Sequence, residues 1–147
     1  MATVKPSELL QVFVDLVEAK PVPSKAHSGD VFKGYIGPLP EVARDRLFGA
    51  EISASVRANI NSCKIEHTAT VTLTFTYVVS TDSATYKRII DDMALVSEAL
   101  HDATTSGVTN YDAVLHVDVS AEQAIAPGVN EGTIEVSRSV AVLYNYG

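Results

Sequence analysis

The chain has 147 residues, a length that favours a single domain with one hydrophobic core. Hydrophobic residues make up 46% of it and charged residues 20%, which is too apolar for a disordered protein. Nowhere do about 18 apolar residues follow one another, so no membrane-spanning helix is predicted. The formal net charge of −7 lies entirely in residues 51–147, because acidic and basic side chains are equal in number in residues 1–50. An acidic surface repels phosphate and argues against a protein that binds nucleic acid, although DNA can pass such a surface without binding. The simpler interpretation of the negative charge is that it keeps the protein soluble.

The single cysteine, Cys63, excludes an intramolecular disulfide and a zinc site built from cysteines. The first residues, Met1 to Pro6, lack the basic and then apolar layout of a secretory signal. We therefore expect the chain to work in a reducing compartment.

Apolar side chains recur at helical spacing over residues 7–19, which predicts an amphipathic helix. Ser7 is the expected N-cap, and Pro21 and Pro23 prevent the helix from continuing. The apolar stripe consists of Leu9, Leu10, Val12, Phe13, Leu16 and Val17.

Prolines and glycines interrupt residues 20–49, where the sequence predicts a short strand over 31–36 and one or two helical turns over 41–48. An irregular stretch of this length is uncommon in a compact domain unless it contacts a partner. The alternative is a surface loop sealed onto its own core, and the sequence leaves both open. The sealing residues would be Phe32, Tyr35, Ile36 and Leu47.

Two segments then alternate between apolar and polar residues, over 51–61 and again over 68–79. Their clear division into two faces predicts antiparallel strands joined as an extended hairpin, with one face on the core and one exposed. In the second segment every other residue from Thr68 to Thr76 is a threonine, which suits a strand.

A second helix is predicted from residue 81 to about Asp102, capped by Asp82 or Ser83. The adjacent carboxylates Asp91 and Asp92 point about 100° apart on a helix and cannot share one substrate, so we expect both to face solvent. Its apolar stripe consists of Tyr86, Ile89, Ile90, Met93, Val96 and Leu100.

The last third returns to alternation, with a strand over 113–119, a loop over 121–132 and a strand from Thr133 almost to Gly147. The last strand is expected to place Ile134, Val136, Val140, Val142, Tyr144 and Tyr146 on one face, interrupted by Arg138. The order of elements predicts one α+β domain over residues 1–147, with an antiparallel sheet or sandwich and two helices packed on one face.

No pattern of catalytic residues stands out. Cys63 has no active-site signature around it, and the four histidines, His27, His67, His101 and His116, lack the spacing of a metal site. Glycine-rich phosphate loops and basic patches with interleaved aromatic residues are absent from the sequence. We expect no enzyme activity, catalytic residue, cofactor or metal.

The layout of the chain resembles tail terminator (tail completion) proteins of long-tailed bacteriophages and the related head–tail joining proteins. The residues that carry the resemblance follow one another along nearly the whole chain. They are Glu8 to Leu16, Val71 to Tyr77, Ile89 to Met93 and Ser139 to Tyr146.

The resemblance implies a homo-oligomeric ring, usually of six copies, that sits on the last ring of the tail tube protein. Such a ring stops tube polymerisation and presents a surface to the head–tail connector or neck proteins, while DNA passes through the lumen without specific binding. The implied location is the virion tail or neck, and the host cytoplasm during assembly, with no membrane. We expect the ring contacts to include Phe32, Tyr35, Ile36 and Arg44 or Arg46.

Two other classes remain open at this point. A neck, head–tail connector or tail tube protein of the same virion would share the architecture but polymerise or join the head side. A small-ligand-binding α+β domain is the further alternative, because sheet and helix layers readily enclose pockets.

Overall fold

The computed structural model describes residues 3–23, 31–40, 44–58, 65–79, 82–104, 113–128 and 131–147. These residues form the expected α+β fold, with two helices against a seven-stranded sheet. None of the helices in these ranges is long and apolar enough to span a membrane. The elements are α1 (Pro6–Glu18), β1 (Lys33–Ile36), β2 (Leu47–Ile52), β3 (Val56–Arg57), β4 (Glu66–Val78), α2 (Asp82–His101), a 3-10 turn (Asp102–Thr104), β5 (Val114–Val119), β6 (Ala124–Pro127) and β7 (Thr133–Asn145).

The strands lie in the order β1, β2, β4, β7 and β5, with β3 beside β4 and β6 beside β7. The long central strands β4 and β7 pair along their whole length, from Glu66 opposite Asn145 to Val78 opposite Thr133. β6 pairs with the first half of β7 and β5 with the second half.

The expectation of an antiparallel sheet is wrong at one edge, because β1 runs parallel to β2. A parallel pair needs a connection that returns the chain to the end of the sheet from which it came. Residues 37–40 begin that return across the sheet surface, where a Cβ atom on Gly49 would lie 2.6 Å from the carbonyl oxygen of Gly37.

Both helices cover the same face of the sheet. On the α2 side, the Arg138 guanidinium of β7 donates to the carbonyl oxygen of Met93 at 3.1 Å. On the α1 side, a Cβ atom on Gly34 of β1 would meet the side chains of Phe48 and Val14. The core therefore lies between the two helices and the face of the sheet that they cover, which we call the helix face. On the opposite face, which we call the outer face, the described residues place no helix. The largest apolar side chains buried in the core include Leu9, Phe13, Phe48, Leu73, Phe75, Ile89, Leu100 and Tyr144.

The elements with strict periodicity lie where the sequence predicts them. β4 alternates as expected, and α2 and β7 match the predicted spans within a few residues. The predicted capping of α1 is wrong, because the N-cap is Lys5, which makes no side-chain cap hydrogen bond, and Pro6 opens the helix. Proline suits this position because its missing N–H would have had no helical partner.

The predicted helical turns over 41–48 are wrong at their end, because Leu47 and Phe48 belong to β2, and residues 41–43 lie outside the described ranges. β2 does not alternate, since its first four residues are all buried between the core and the crossing connection. The predicted strand over 51–61 divides into the end of β2 and the short β3, both paired with β4. Residues 59 and 60 lie outside the described ranges.

The last third contains a strand that the sequence analysis assigns to a loop. β6 pairs with β7 inside the predicted loop 121–132. A register shift between Val114 and His116 also turns Val114 onto the helix face, and Leu115, which strict alternation with Val117 and Val119 places in the core, is 42% exposed.

Candidate functional site

The five residues expected at ring contacts separate into buried and exposed groups. Phe32 and Arg46 are 2% and 0% exposed, so they belong to the core of this chain and offer no surface to a partner. Arg44 is half-buried. Tyr35 and Ile36 are 42% and 48% exposed, so they remain available at the sheet edge. With Val31, which is 55% exposed, they form what we call the β1 edge patch.

Arg46 is held by a buried ion pair with α2. Its Nε and Nη2 atoms donate to the two carboxylate oxygens of Asp92 at 2.8 and 3.0 Å, and both side chains are fully buried. The hydroxyl of Tyr77 donates to the same carboxylate at 2.8 Å. The expectation that Asp92 faces solvent is therefore wrong, whereas its neighbour Asp91 is exposed.

This buried cluster also changes the chemistry of the phenol. Burial raises the pKa of Tyr77 well above its ordinary value, and the negative charge of Asp92 adds to the effect. The phenol is therefore held as a neutral hydrogen-bond donor to the carboxylate.

The turn before β2 positions Arg46. Arg46 has a φ of +64°, a left-handed conformation that is uncommon for residues other than glycine. The preceding residue, Asp45, accepts hydrogen bonds from the backbone N–H of Val78 at 2.7 Å and from Arg88 at 3.2 Å. The turn is thereby tied to both β4 and α2, which makes this corner a rigid part of the fold.

The outer face of the sheet is polar. On the two central strands, hydroxyl groups meet across the register, Thr72 with Ser139 and Thr74 with Ser137, each at 3.3 Å. Paired hydroxyls satisfy one another while leaving a face that water can cover.

The outer face is also acidic. The strand registers place Glu51, Glu66, Asp118 and Glu135 on this face. Within the strands that the structure describes, Lys33 on β1 is the one lysine or arginine whose register position lies on the outer face. Part of the net negative charge of residues 51–147 therefore lies on the outer face.

An open apolar groove lies on the helix side of the opposite sheet edge. Ile125 of β6 and Tyr86 of α2 form its two walls and are 47% and 54% exposed. One turn beyond Tyr86, Ile90 is 47% exposed, so the predicted apolar stripe of α2 is only partly buried. We call this feature the β6 groove; its lining is Val79, Thr85, Tyr86, Ile89, Ile125 and Ile134, around a volume of about 170 Å³.

A hydroxyl–imidazole contact is the nearest approach to catalytic chemistry. The Ser55 hydroxyl lies 2.9 Å from Nδ1 of His67 and also hydrogen-bonds the hydroxyl of Tyr144. The other side of the imidazole stacks on Tyr146, with 4.4 Å between ring centroids. No carboxylate hydrogen bond to this imidazole occurs among the described residues, so it lacks the orienting group of a nucleophile–base pair.

Arg138 interrupts the apolar face of β7 as expected, and it does so as a buried cation. Its guanidinium donates to the carbonyl oxygens of Met93 and Ser120 and to the hydroxyl of Ser97. Burial lowers the pKa of Arg138 from its ordinary value. Three neutral acceptors from α2 and from the end of β5 hold this cation, so its role is to join α2 to the far edge of the sheet.

The remaining candidates do not form a site within the described residues. Cys63 and His27 lie outside the described ranges. The structure groups no three histidine, cysteine, aspartate or glutamate residues as metal ligands in those ranges. His116 lies on the outer face opposite Leu143.

Sequence analysis missed the β6 groove, because its walls come from a helix and from a strand that the sequence assigns to a loop. The one available signal was Tyr86 and Ile90 at i and i+4, which were assigned to the core. It also missed the Arg46–Asp92 pair, whose members are 46 residues apart.

No protein-family model matches the chain. A search of curated proteins finds no significant match either.

Proposed function

We propose that this chain is a structural protein of a long-tailed bacteriophage virion or of a phage-like particle. Its role is that of a tail terminator: copies close into a ring, about six in number, that caps the tail tube and stops its polymerisation. The ring joins the tube to the head–tail connector, and DNA passes through its lumen. The chain does so in the virion and during assembly in the host cytoplasm, without catalysis or cofactor.

The observation that carries the proposal is the outer face of the sheet. In the part of the chain that the structure describes it carries no helix, it is lined with hydroxyl groups, and it presents Glu51, Asp118 and Glu135. A lumen that DNA must cross needs a hydrated surface that does not neutralise phosphates, since lysine and arginine contacts to phosphates make DNA bind. We place this face toward the lumen.

The two sheet edges supply a second support. A closed ring is built from a heterologous interface, which needs two different patches on each copy. The β1 edge patch and the β6 groove are exposed apolar features at opposite edges of the sheet. They therefore meet the geometric requirement for contacts on the two sides of one copy.

Electron microscopy of the purified protein, negatively stained, tests the proposal. We expect closed rings with a central hole and a uniform diameter, and we expect stacks of rings to be rare. Open-ended tubes would contradict the terminator role and favour the tail tube alternative.

The small-ligand alternative is favoured by one observation, the β6 groove itself. Among its lining residues only the hydroxyl groups of Thr85 and Tyr86 are polar, so a ligand there would be small and largely apolar. Particles of one-copy size, with an apolar dye bound at the groove, would favour this alternative over a ring.

A further inference from the structure

At each of the β1 and β6 edges, one outward backbone donor is unavailable for addition of another strand. At β1, the backbone N–H of Gly34 points away from β2 and donates to a carboxylate oxygen of Glu18 at 3.2 Å. At β6, Gly128 donates to the carbonyl of Thr133, so in the alternating ladder the neighbouring Pro127 occupies the position whose N–H would point outward. A proline there removes that donor. These two features disfavour a continuous backbone ladder between copies and favour contacts made by side chains.

The side chains at the two edges lie on matching faces of the sheet. Ile36 is in register with Ala50, and Ile125 is in register with Val136, and both partners belong to the buried helix face. If copies follow one another around a ring in the same sense, the helix face of one continues into the helix face of the next. Ile36 of one copy then approaches the groove beside Ile125 of its neighbour.

The outer side of the same contact is also complementary in size. Tyr35 is on the outer face of β1, and the residues of β6 on that face are Ala124 and Ala126. A large ring therefore meets a strand whose outer side chains are small, which leaves room for close contact.

The charges beside the two features have opposite signs. Lys33 lies two residues before Tyr35; its Nζ is 3.9 Å from a carboxylate oxygen of Glu18, a weak surface pair, and its side chain is 50% exposed. Glu131 is exposed and Glu135 half-buried, and they lie on either side of Ile134 in the groove lining. Opposite charges around an apolar contact favour pairing of unlike edges over pairing of like edges.

We propose that the occupant of the β6 groove is a second copy of this chain, which inserts Ile36 of its β1 edge patch into the groove and packs Tyr35 against the outer side of β6. The inference rests on the proposed ring and names its interface. The contact is heterologous: each copy gives its β1 edge patch to one neighbour and its β6 groove to the other.

The test uses two single variants, Ile36→Asp on the patch and Ile125→Asp in the groove, with solution mass measured by light scattering. Each variant is expected to weaken self-association about a hundredfold, because an apolar contact is replaced by a charge that must lose its water. Both side chains are about half exposed in the single copy, so each variant is expected to keep the circular dichroism spectrum and urea midpoint of the wild type. The matched control is Val56→Asp. Val56 is 61% exposed and lies on β3, in register with Thr68 near the start of β4.

Mixing the two variants gives the decisive result. The Ile36→Asp variant keeps its groove and the Ile125→Asp variant keeps its patch, so the two can join through these intact surfaces. The surfaces left free in that pair are both altered, so we expect a complex of two copies that grows no further. Absence of that complex, a wild-type assembly formed by either variant alone, or loss of assembly in the Val56→Asp control would overturn the inference.

The outcomes also separate the interface from the ring. Closed rings that persist in both variants would overturn the interface and leave the proposed function standing. An open-ended polymer that both variants abolish would support the interface and contradict the terminator role. A wild-type chain that stays at one-copy mass up to about 1 mM would overturn the interface, and dye binding lost in Ile125→Asp would then identify a small-ligand groove.

Discussion

The buried pair between Arg46 and Asp92 allows a sharp test of how α2 is held on the sheet. We choose Asp92→Asn, which preserves the shape of the side chain and removes its charge. The guanidinium then loses two charge-assisted hydrogen bonds of 2.8 and 3.0 Å in a site where neither side chain is exposed. Tyr77 can still donate to the amide oxygen, so the main change is that the buried guanidinium loses the negative charge of this carboxylate.

The expected cost is about 3 to 5 kcal/mol, the usual effect of removing one partner from a buried ion pair. That is a large part of a typical domain stability of about 5 to 15 kcal/mol, and it corresponds to a fall in Tm of about 10 °C or more. The matched control is Asp91→Asn, the exposed neighbour on the same helix, which should change stability by less than about 0.5 kcal/mol.

Urea unfolding followed by circular dichroism is the suitable assay, because the chain contains no tryptophan. The midpoint should fall for Asp92→Asn with an unchanged slope, and it should stay at the wild-type value for Asp91→Asn. Equal midpoints for the two variants would refute the reasoning, since they would show that the carboxylate of Asp92 does no more than a solvated one.

Three further predictions follow from single contacts. Because the pKa of Tyr77 is raised in the folded chain, the unfolded chain loses its phenolic proton first as pH rises through the ordinary value of 10.0. The free energy of unfolding should therefore decline above that pH, and the decline should be shallower in Tyr77→Phe. Urea midpoints at several pH values would show both effects. Gly49→Ala should destabilise by about 1 to 3 kcal/mol, because its Cβ would lie 2.6 Å from the backbone oxygen of Gly37; a wild-type thermal midpoint would contradict the crossing connection. Glu51→Lys with Glu135→Lys should create salt-dependent DNA binding that the wild type lacks, measured by fluorescence anisotropy at low salt; no binding by the double variant would contradict an outer face near the DNA path.

Strict periodicity made the central elements predictable. β4 alternates threonine with apolar residues, and its partner β7 alternates nearly as well, so both strands and their pairing follow from the pattern. β2 was missed because Leu47 and Gly49 are buried although they lie on the outer face, with residues 37–39 packed over Gly49, and this removes the alternation.

Other features depend on contacts between distant parts of the chain. β6 was assigned to a loop because it ends in Pro127, and only the ladder shows that this proline lies at a free edge. Asp92 was assigned to the surface because nothing in its own helix indicates that Arg46 reaches it from a turn. The β1 edge patch was predicted in part: Tyr35 and Ile36 are exposed, whereas Phe32 is buried.

The solution mass of the purified chain, measured by light scattering at low and at physiological salt, tests the central claim most directly. The account predicts one closed species of about six copies, near 94 kDa for a chain of 15.7 kDa, whose mass does not grow with concentration. A mass that increases continuously with concentration would contradict it in favour of a polymerising tube protein. A mass of one copy under both conditions would contradict it in favour of a small-ligand-binding domain.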